Sequence, residues 1–95
     1  MPYVRITLLS PRPGTEDEIQ VLQRKLITFF AAQAGYKDGY LLHADGRLGR
    51  LTVWESETAA DLVANHDHVL ALRSQLLHLL ASDEELAFQG EQVRA

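Results

Sequence analysis

The sequence predicts one α+β domain whose elements follow the order β-α-β-β-α-β, and three observations support this prediction. Residues 3–10 and 48–55 alternate along the chain with the period of two that is typical of strands. Two longer segments repeat apolar residues at helical spacing. Turn signals separate these segments, and neither a repeat nor a low-complexity linker interrupts them. We therefore expect residues 1–95 to form a single domain.

The first strand, residues 3–10, is followed by a helix. Pro11 ends the strand because proline donates no hydrogen bond to a β-ladder. Thr15 and Glu18 have the spacing of a capping box, which places the start of the helix one residue after Thr15. Gly35 is expected to stop the helix. The apolar stripe of this helix consists of Ile19, Leu22, Leu26, Phe29 and Phe30.

A β-hairpin follows the first helix. The Asp-Gly pair at residues 38–39 predicts a turn, and residues 40–44 predict a second strand. A second Asp-Gly pair, at residues 45–46, suits a tight hairpin turn because glycine adopts positive φ at little cost. The returning strand is expected over residues 48–55.

A second helix and a last strand complete the predicted domain. Ser56 and Thr58 are both favourable N-cap residues for this helix. Residues 65–68 are polar and are expected to interrupt it, and residues 82–83 to end it. The last strand is expected over residues 86–93. The apolar stripe of the second helix consists of Leu62, Val69, Leu72, Leu76 and Leu80.

Both alternating sets of the predicted strands are apolar, which is unusual for a small antiparallel sheet. One set contains Val4, Ile6, Leu8, Leu51 and Val53; the other contains Tyr3, Arg5, Thr7, Leu9, Leu48, Arg50, Thr52 and Trp54. Two helices cover only one face of a sheet, so we expect a second copy of the chain to cover the other. The order of elements predicts the ferredoxin-like arrangement, a four-stranded antiparallel sheet with two helices on one face. A homodimer is part of this prediction.

Composition and charge exclude several classes of function. The net charge of −4 and the scattered Lys and Arg residues argue against nucleic-acid binding, which usually needs a basic stripe. The absence of cysteine excludes disulfides and thiolate metal sites and fits a cytoplasmic location. The sequence contains no signal-peptide pattern, no apolar run long enough to cross a membrane, and no phosphate loop or nucleophile elbow. We expect a small-molecule ligand, no membrane or nucleic-acid partner, and no cofactor.

Two segments around the hairpin resemble a known family. They are the sequence GYKDGY at residues 35–40 and the sequence VWESETA at residues 53–59. With these segments the chain resembles the antibiotic biosynthesis monooxygenase domain over residues 3–93. The resemblance implies a dimeric α/β barrel, in which two sheets pack face to face and a pocket lies between each sheet and its own helices. The set that contains Ile6 would then fill the space between the sheets, and Arg5, Thr7, Thr52 and Trp54 would face the pocket.

Two histidines in the second helix are candidate catalytic bases. His66 and His68 lie in an Asn-His-Asp-His cluster, and imidazole titrates near neutral pH, so either could remove a proton from a phenol or enol. The resemblance implies a catalytic or ligand histidine in this part of the helix, and both positions are compatible with it. The alternative is a solvated helix break whose polar groups act as caps. Spacing of two residues makes a poor chelating pair on a helix, so we expect no metal site.

Six further residues are candidates for binding the substrate. Trp54 is either a pocket wall that stacks on a flat ligand or a core residue. Arg5 either stabilises an anionic intermediate or pairs with an acid across the dimer. Thr7 stands where haem-degrading relatives carry an asparagine, which argues against haem chemistry. The other candidates, each of which is equally explained as a packing residue, are Tyr36, Tyr40 and His43.

The resemblance implies a cofactor-independent monooxygenase that acts on a small aromatic or quinol-type substrate. A base removes a phenolic or enolic proton, and the resulting anion reacts with oxygen in a dry pocket with fixed hydrogen-bond donors. Two alternatives remain open, namely a non-catalytic dimeric module that binds a small ligand or serves in stress metabolism, and a haem-binding relative. An imidazole inside a pocket beside Trp54 favours the enzyme, whereas imidazoles that point to solvent favour the non-catalytic module.

Overall fold

A four-stranded antiparallel sheet with helices on one side forms the fold, which confirms the predicted ferredoxin-like class. The computed structural model describes residues 1–93. The elements are β1 (Tyr3–Pro11), α1 (Glu16–Ala31), β2 (Tyr36–Ala44), β3 (Arg47–Trp54), α2 (Glu57–Ala64), α3 (Asp67–Leu77) and β4 (Leu80–Gln89). The sheet order is β2-β3-β1-β4, so the first strand lies inside the sheet, between β3 and β4.

Helix α1 begins where the sequence predicts, but Thr15 does not cap it. The Thr15 hydroxyl donates to the backbone oxygens of Arg12, at 2.7 Å, and Leu79, at 3.0 Å, and it makes no hydrogen bond to the helix. Thr15 therefore ties the start of α1 to the segment before β4. The predicted apolar stripe faces the core, with Ile19, Leu22, Leu26 and Phe30 buried and Phe29 partly buried.

Strand β2 begins at Tyr36, earlier than predicted, and residues 38–39 lie inside it and form no turn. The strand accommodates them with a bulge, because its pairing with β3 shifts after Tyr36. Gly35, just before the strand, has a φ of +88°. The hairpin turn predicted at residues 45–46 is present, and Gly46 has the expected positive φ of +71°.

The second helical region consists of two helices. Ser56 caps α2, since its Oγ accepts the backbone N–H of Ala59 at 3.1 Å, and this decides between the two predicted caps. The predicted interruption separates α2 from α3. Leu62 was predicted to be buried but is 72% exposed, and Ala60 and Val63 face the core in its place. Within residues 1–93, the helices are all too short or too polar to cross a membrane.

The last strand begins earlier than predicted. Helix α3 ends at Leu77 and β4 starts at Leu80, whereas the sequence predicted helix up to residues 82–83 and strand only from residue 86. Leucines at 76, 77, 79 and 80 fit both helical and strand patterns, so periodicity does not locate the boundary. Antiparallel pairing of β4 with β1, which extends from Leu80 to Gln89, determines it.

The two faces of the sheet have different environments. The face toward the helices buries Tyr3, Thr7, Leu9, Arg50, Thr52 and Trp54. The opposite face, here called the open face, has Ile6 at its centre, directly between Leu51 and Leu86. No element among residues 1–93 covers it, and Phe88 and Tyr40 are each about half exposed there. Register places on the open face Val4, Ile6, Leu8, Tyr40, Leu42, Leu51, Val53, Leu86 and Phe88.

The two edge strands of the sheet are β2 and β4. The bulge after Tyr36 distorts the start of β2. Strand β4 carries three consecutive acids, Asp83, Glu84 and Glu85, and all three are exposed.

Candidate active site

A small cavity lies between the sheet and helices α2 and α3. Its volume is about 20 Å³, which is room for about one water molecule. Three arginines, two threonines and a tryptophan give it a lining that is more polar than the rest of the core. The sheet contributes Arg5, Thr7, Arg50, Thr52, Trp54 and Glu85, and the helices contribute Phe30, Ala60, Ala64, Val69 and Arg73. The alternating set that was expected to face the pocket therefore lines this cavity.

Trp54 is both a core residue and a wall of the cavity. Its side chain is only 2% exposed, and the rings of Phe30 and Tyr36 meet it edge-on, with centroids at 5.6 and 5.5 Å. The indole Nε1–H donates to the Thr52 hydroxyl at 3.0 Å. Because this bond satisfies the only polar group of Trp54 within its own strand, a ligand has only the face and edge of the ring to contact.

Arg5 is already paired within the chain. Its guanidinium lies 2.9 Å from a carboxylate oxygen of Asp61 on α2 and 3.7 Å from one of Glu85 on β4, and it donates to the Tyr3 hydroxyl at 3.0 Å. Burial acts to lower the pKa of Arg5, but the hydrogen bonds to Asp61 and Tyr3 outweigh it and hold the pKa above its ordinary value. The acids that pair with Arg5 lie within the same chain, whereas the expected ion pair was across the dimer.

Arg50 was not predicted as a site residue, although it is the most deeply buried charge of the cavity. Its side chain is 7% exposed, and it donates to the Gln23 Oε1 on α1 at 2.7 Å. No carboxylate of residues 1–93 forms an ion pair with it. Burial lowers the pKa of Arg50 to about 10, with a contribution from the positive charge of Arg73, so Arg50 is charged at neutral pH. A sequence signal did exist, because Arg50 alternates with Thr52 and Trp54 on an otherwise apolar strand.

A second small cavity lies beside the first, toward Leu9 and Leu80. Its volume is also about 20 Å³, and it shares Thr7, Arg50, Arg73 and Glu85 with the first cavity. The side chains of Arg50 and Arg73 therefore border both spaces.

His66 and His68 lie outside both cavities. Both are exposed, and their rings lie against Phe29, with centroids at 4.8 and 4.7 Å. His66 is the N-cap of α3, where its Nδ1 accepts the backbone N–H of His68 at 3.1 Å. The neutral His66 ring therefore carries its proton on Nε2. This is the arrangement of a solvated helix break.

His66 borders a separate, open groove of about 480 Å³ between α2 and the start of β2. Glu55 and Ser56 also line this groove, but the Ser56 hydroxyl is occupied as the α2 cap. Residues 1–93 contain no group of three His, Cys, Asp or Glu side chains placed to hold a metal ion.

The two candidate tyrosines do not line the cavity. Tyr36 packs behind Trp54, and burial, followed by the charge of Asp38, raises the pKa of its phenol. Tyr40 lies on the open face. Its hydroxyl donates to Asp38 Oδ2 at 3.0 Å, and this hydrogen bond raises the pKa of Tyr40. Both phenols stay protonated at neutral pH, but neither reaches the cavity lining.

His43 lies at the opposite end of the sheet from Trp54. It pairs with Leu48 on β3, six residues before Trp54, which corresponds to a separation of about 20 Å along the strand. Its Nδ1 is 3.3 Å from the Nε2 of Gln20 on α1. Among the predicted site residues, the structure therefore brings Trp54, Arg5 and Thr7 together in the cavity lining. The histidines and tyrosines lie outside the lining, although Tyr36 contacts Trp54.

Comparison with known proteins finds matches among solved structures but none by sequence. No protein-family model matches the sequence, and no functionally curated protein matches it. SnoaB, a cofactor-independent oxygenase from Streptomyces nogalater, has a similar structure, with a TM-score of 0.85 and 20% identity over 97% of this chain and 95% of that chain. Rv0793 from Mycobacterium tuberculosis has a TM-score of 0.89 and 24% identity, and the match covers 100% of both chains.

A solved antibiotic biosynthesis monooxygenase is also similar, with a TM-score of 0.84 and 16% identity over 97% of this chain and 100% of that chain. These matches confirm, at the level of the fold, the resemblance to the antibiotic biosynthesis monooxygenase family over nearly the whole chain. At identities below 25%, they establish the fold and leave the chemistry to be argued from the site.

Proposed function

We propose that the protein is a cofactor-independent, monooxygenase-like enzyme that oxidises a small aromatic or quinol-type substrate in the cavity beside Trp54. The observation that carries this proposal is the convergence of arginine and threonine side chains on an aromatic wall between the sheet and its helices. The similarity in fold to SnoaB, which is named as a cofactor-independent oxygenase, supports the same class of reaction. Similarity in fold is here an analogy, and the cavity is the physical argument.

The cavity has the electrostatic character that this reaction requires. A phenol or quinol that loses a proton becomes an electron-rich anion, and fixed positive charge in a water-poor site stabilises such an anion. Arg50 supplies this charge, because it is buried, ionised at neutral pH and without a carboxylate partner among residues 1–93. Arg5 supplies less, since Asp61 and Glu85 already neutralise it.

Substrate binding requires side chains to move. Pockets for small ligands usually have volumes of about 300–1,000 Å³, whereas each of the two cavities here has a volume of about 20 Å³. Arg73 borders both cavities, is only partly buried, and forms neither an ion pair nor a side-chain hydrogen bond within residues 1–93. Movement of the Arg73 side chain therefore breaks no ion pair and no side-chain hydrogen bond within residues 1–93.

We assign removal of the substrate proton to His68 in preference to His66. The Nδ1 lone pair of His66 is used to cap α3, whereas the ring of His68 forms no hydrogen bond to residues 1–93. Since neither imidazole borders the cavity, this step takes place while the substrate enters and before it is enclosed. Replacement His68→Gln tests the assignment. Loss of oxygen consumption at neutral pH that returns at a pH above the substrate pKa is expected, and unchanged turnover would contradict it.

Oxygen uptake is the direct test of the proposed function. The purified protein would be incubated with a panel of hydroquinones and flavonoids in buffer that contains a metal chelator, and oxygen would be followed with an electrode. We expect consumption above the uncatalysed rate, a lower kcat/KM for Arg50→Lys, and no change for Arg24→Gln, an exposed arginine on α1. A folded protein that consumes no oxygen with any member of the panel would refute the proposal.

A non-catalytic role in binding a small ligand is the second candidate function. The observation that favours it is the exposure of both imidazoles outside the cavity. The same panel separates the two candidates, because a binding protein would change the fluorescence of Trp54 without consuming oxygen.

We also propose that the protein acts as a homodimer in the cytoplasm, with the open faces of two sheets packed together. The open face is apolar at its centre, where Ile6 lies between Leu51 and Leu86, and an uncovered surface of this kind usually marks an interface. Ile6→Lys would place a charge at the centre of the interface. Val21→Lys, at an exposed position on α1, is the matched control.

Sedimentation equilibrium measures the outcome of this comparison. We expect a dimer for the wild type and for Val21→Lys, and a shift toward monomer for Ile6→Lys. A monomeric wild type at micromolar concentration would contradict the proposed dimer, and so would an Ile6→Lys variant that dimerises as well as the wild type.

A further inference from the structure

We propose that Arg50 and Arg73 form a carboxylate-binding site, and that the substrate class is therefore an aromatic carboxylate. The assignment of the substrate class rests on the proposed function, since it concerns the ligand of the same cavity. The assignment of the carboxylate-binding site rests on the contacts of the two arginines.

Arg50 is a buried cation whose hydrogen-bonding capacity is largely unused. A guanidinium has five N–H donors, and buried donors in proteins almost always have acceptors. The only side-chain acceptor that Arg50 has among residues 1–93 is Gln23 Oε1, at 2.7 Å. The Nε2 of the same Gln23 is also buried and has no acceptor. The Arg50 guanidinium therefore lies beside a buried donor, Gln23 Nε2, and its only protein acceptor within residues 1–93 is the amide oxygen of that same residue.

A second cation, Arg73, lines the same two cavities as Arg50. After burial, the positive charge of Arg73 is the largest cause of the lowered pKa of Arg50, whereas the charges of Glu85 and Asp83 act to raise it. Two guanidinium groups that border the same two cavities repel each other unless an anion lies between them. No ion pair within residues 1–93 involves either Arg50 or Arg73.

The acids near the cavity do not supply this anion. Glu85 lines both cavities, but its carboxylate lies 3.7 Å from Arg5, which it shares with Asp61. Asp83 lines the second cavity, and it forms no ion pair within residues 1–93 and is exposed. A ligand that brings its own negative charge is therefore the partner that fits the two arginines.

The size of the cavities fits the oxygens of a carboxylate, and the lining offers an aromatic wall to a ring that enters when side chains move. Each of the two cavities beside Arg50 has room for about one water-sized group, which is the size of a carboxylate oxygen. The planar fork of a guanidinium matches the two oxygens of a carboxylate. Thr7 and Thr52 border the first cavity with hydroxyl-bearing side chains, and Trp54 provides a flat apolar surface for the ring.

Fluorescence of Trp54 tests this site without any turnover. Trp54 is the only tryptophan of the sequence and lies in the lining of the first cavity, so its emission reports on ligands there. Benzoate would be titrated against the protein at constant ionic strength, with benzamide as the uncharged probe of the same shape and chloride as an anion without a ring. We expect benzoate to change the emission saturably, and benzamide to bind at least about tenfold more weakly.

Two variants connect the binding to the arginines. Arg73→Gln removes one of the two cations at a partly buried position, and Arg24→Gln removes a cation elsewhere on the surface. We expect Arg73→Gln to weaken benzoate binding by at least about tenfold, and Arg24→Gln to leave it unchanged. Benzoate should also raise the Tm of the wild type and of Arg24→Gln, but not that of Arg73→Gln. Thermal unfolding shows at the same time that the variants are folded.

Several outcomes would overturn the inference. They are the absence of saturable benzoate binding, equal affinities for benzoate and benzamide, equal effects of benzoate and chloride at the same concentration, and wild-type affinity in a folded Arg73→Gln. Failure of the proposed function is distinguishable from these outcomes. Benzoate binding without oxygen uptake from any quinol would support the carboxylate site and refute the oxygenase. Oxygen uptake from a quinol without benzoate binding would support the oxygenase and refute the carboxylate site.

Discussion

Replacement of Gly35 by alanine would test how closely the start of β2 packs against α2. Gly35 has a φ of +88°, where a Cβ costs about 1–2 kcal/mol. A Cβ at this position would also lie 2.6 Å from the Cβ of Ala59, so one of the two segments must move. Relief of such overpacking costs about 1–3 kcal/mol. We therefore expect the free energy of unfolding to fall by about 2–5 kcal/mol.

Gly46→Ala is the matched control, because it separates the conformational cost from the steric one. Gly46 also has a positive φ, of +71°, but no atom lies within 4 Å of a Cβ built there. Its replacement should cost only the conformational part, about 1–2 kcal/mol. Adding Ala59→Gly to Gly35→Ala removes the opposing methyl group, so the double variant should lose less than the sum of the two single variants.

Urea unfolding followed by circular dichroism gives the free energy for each variant. In thermal unfolding, each 1 kcal/mol corresponds to about 4–8 °C in Tm for a domain of this size. Equal losses for Gly35→Ala and Gly46→Ala would refute the steric argument. Strict additivity of Gly35→Ala and Ala59→Gly would refute it as well.

Three further predictions concern single polar groups. Thr52→Val should lower the free energy of unfolding by about 1–3 kcal/mol, because it leaves the buried Trp54 N–H without an acceptor, and Thr52→Ser should restore most of the loss in urea titrations. Ser56→Ala should cost about 1 kcal/mol in the same assay, since Ser56 caps α2, and no loss would contradict the cap. Burial lowers the pKa of Arg50 to about 10 in the folded protein, below its ordinary value, so the unfolded state binds more protons above pH 10. The free energy of unfolding of the wild type should therefore rise relative to that of Arg50→Met as the pH increases above 10, and a constant difference would contradict the lowered pKa.

The fold was predictable because its strongest signals are local and mutually consistent. Alternation in β1 and β3 and the apolar stripe of α1 each identify an element without reference to the rest of the chain. The errors occur where long-range pairing decides. Leu80 is part of β4 because it pairs with β1, and Thr15 bonds to Leu79 instead of capping its own helix. A pattern within a short window contains neither of these contacts.

The site was less predictable, since its members come from separate elements. Alternation places Trp54, Arg5 and Thr7 on one face of the sheet, and the family resemblance implied that this face lines the pocket. Arg50 belongs to the same alternating set but was not singled out, and its burial, at 7% exposure, becomes visible only in the packed structure. Its partner Gln23 has a polar side chain within an amphipathic helix, and only the packing of α1 on the sheet shows that it is buried.

The exposed acids of β4 have a consequence for how this molecule can aggregate. An edge strand has unpaired backbone N–H and C=O groups with which another strand can pair. If the β4 edge strands of two molecules paired, Asp83, Glu84 and Glu85 of one molecule would lie against the same acids of the other. This repulsion opposes the growth of a continuous intermolecular sheet. At the other edge of the sheet, the bulge after Tyr36 in β2 disrupts the regular row of backbone groups that another strand would need for pairing. Neutralisation of the acids, by low pH or by substitution with Asn and Gln, should therefore make fibril formation easier.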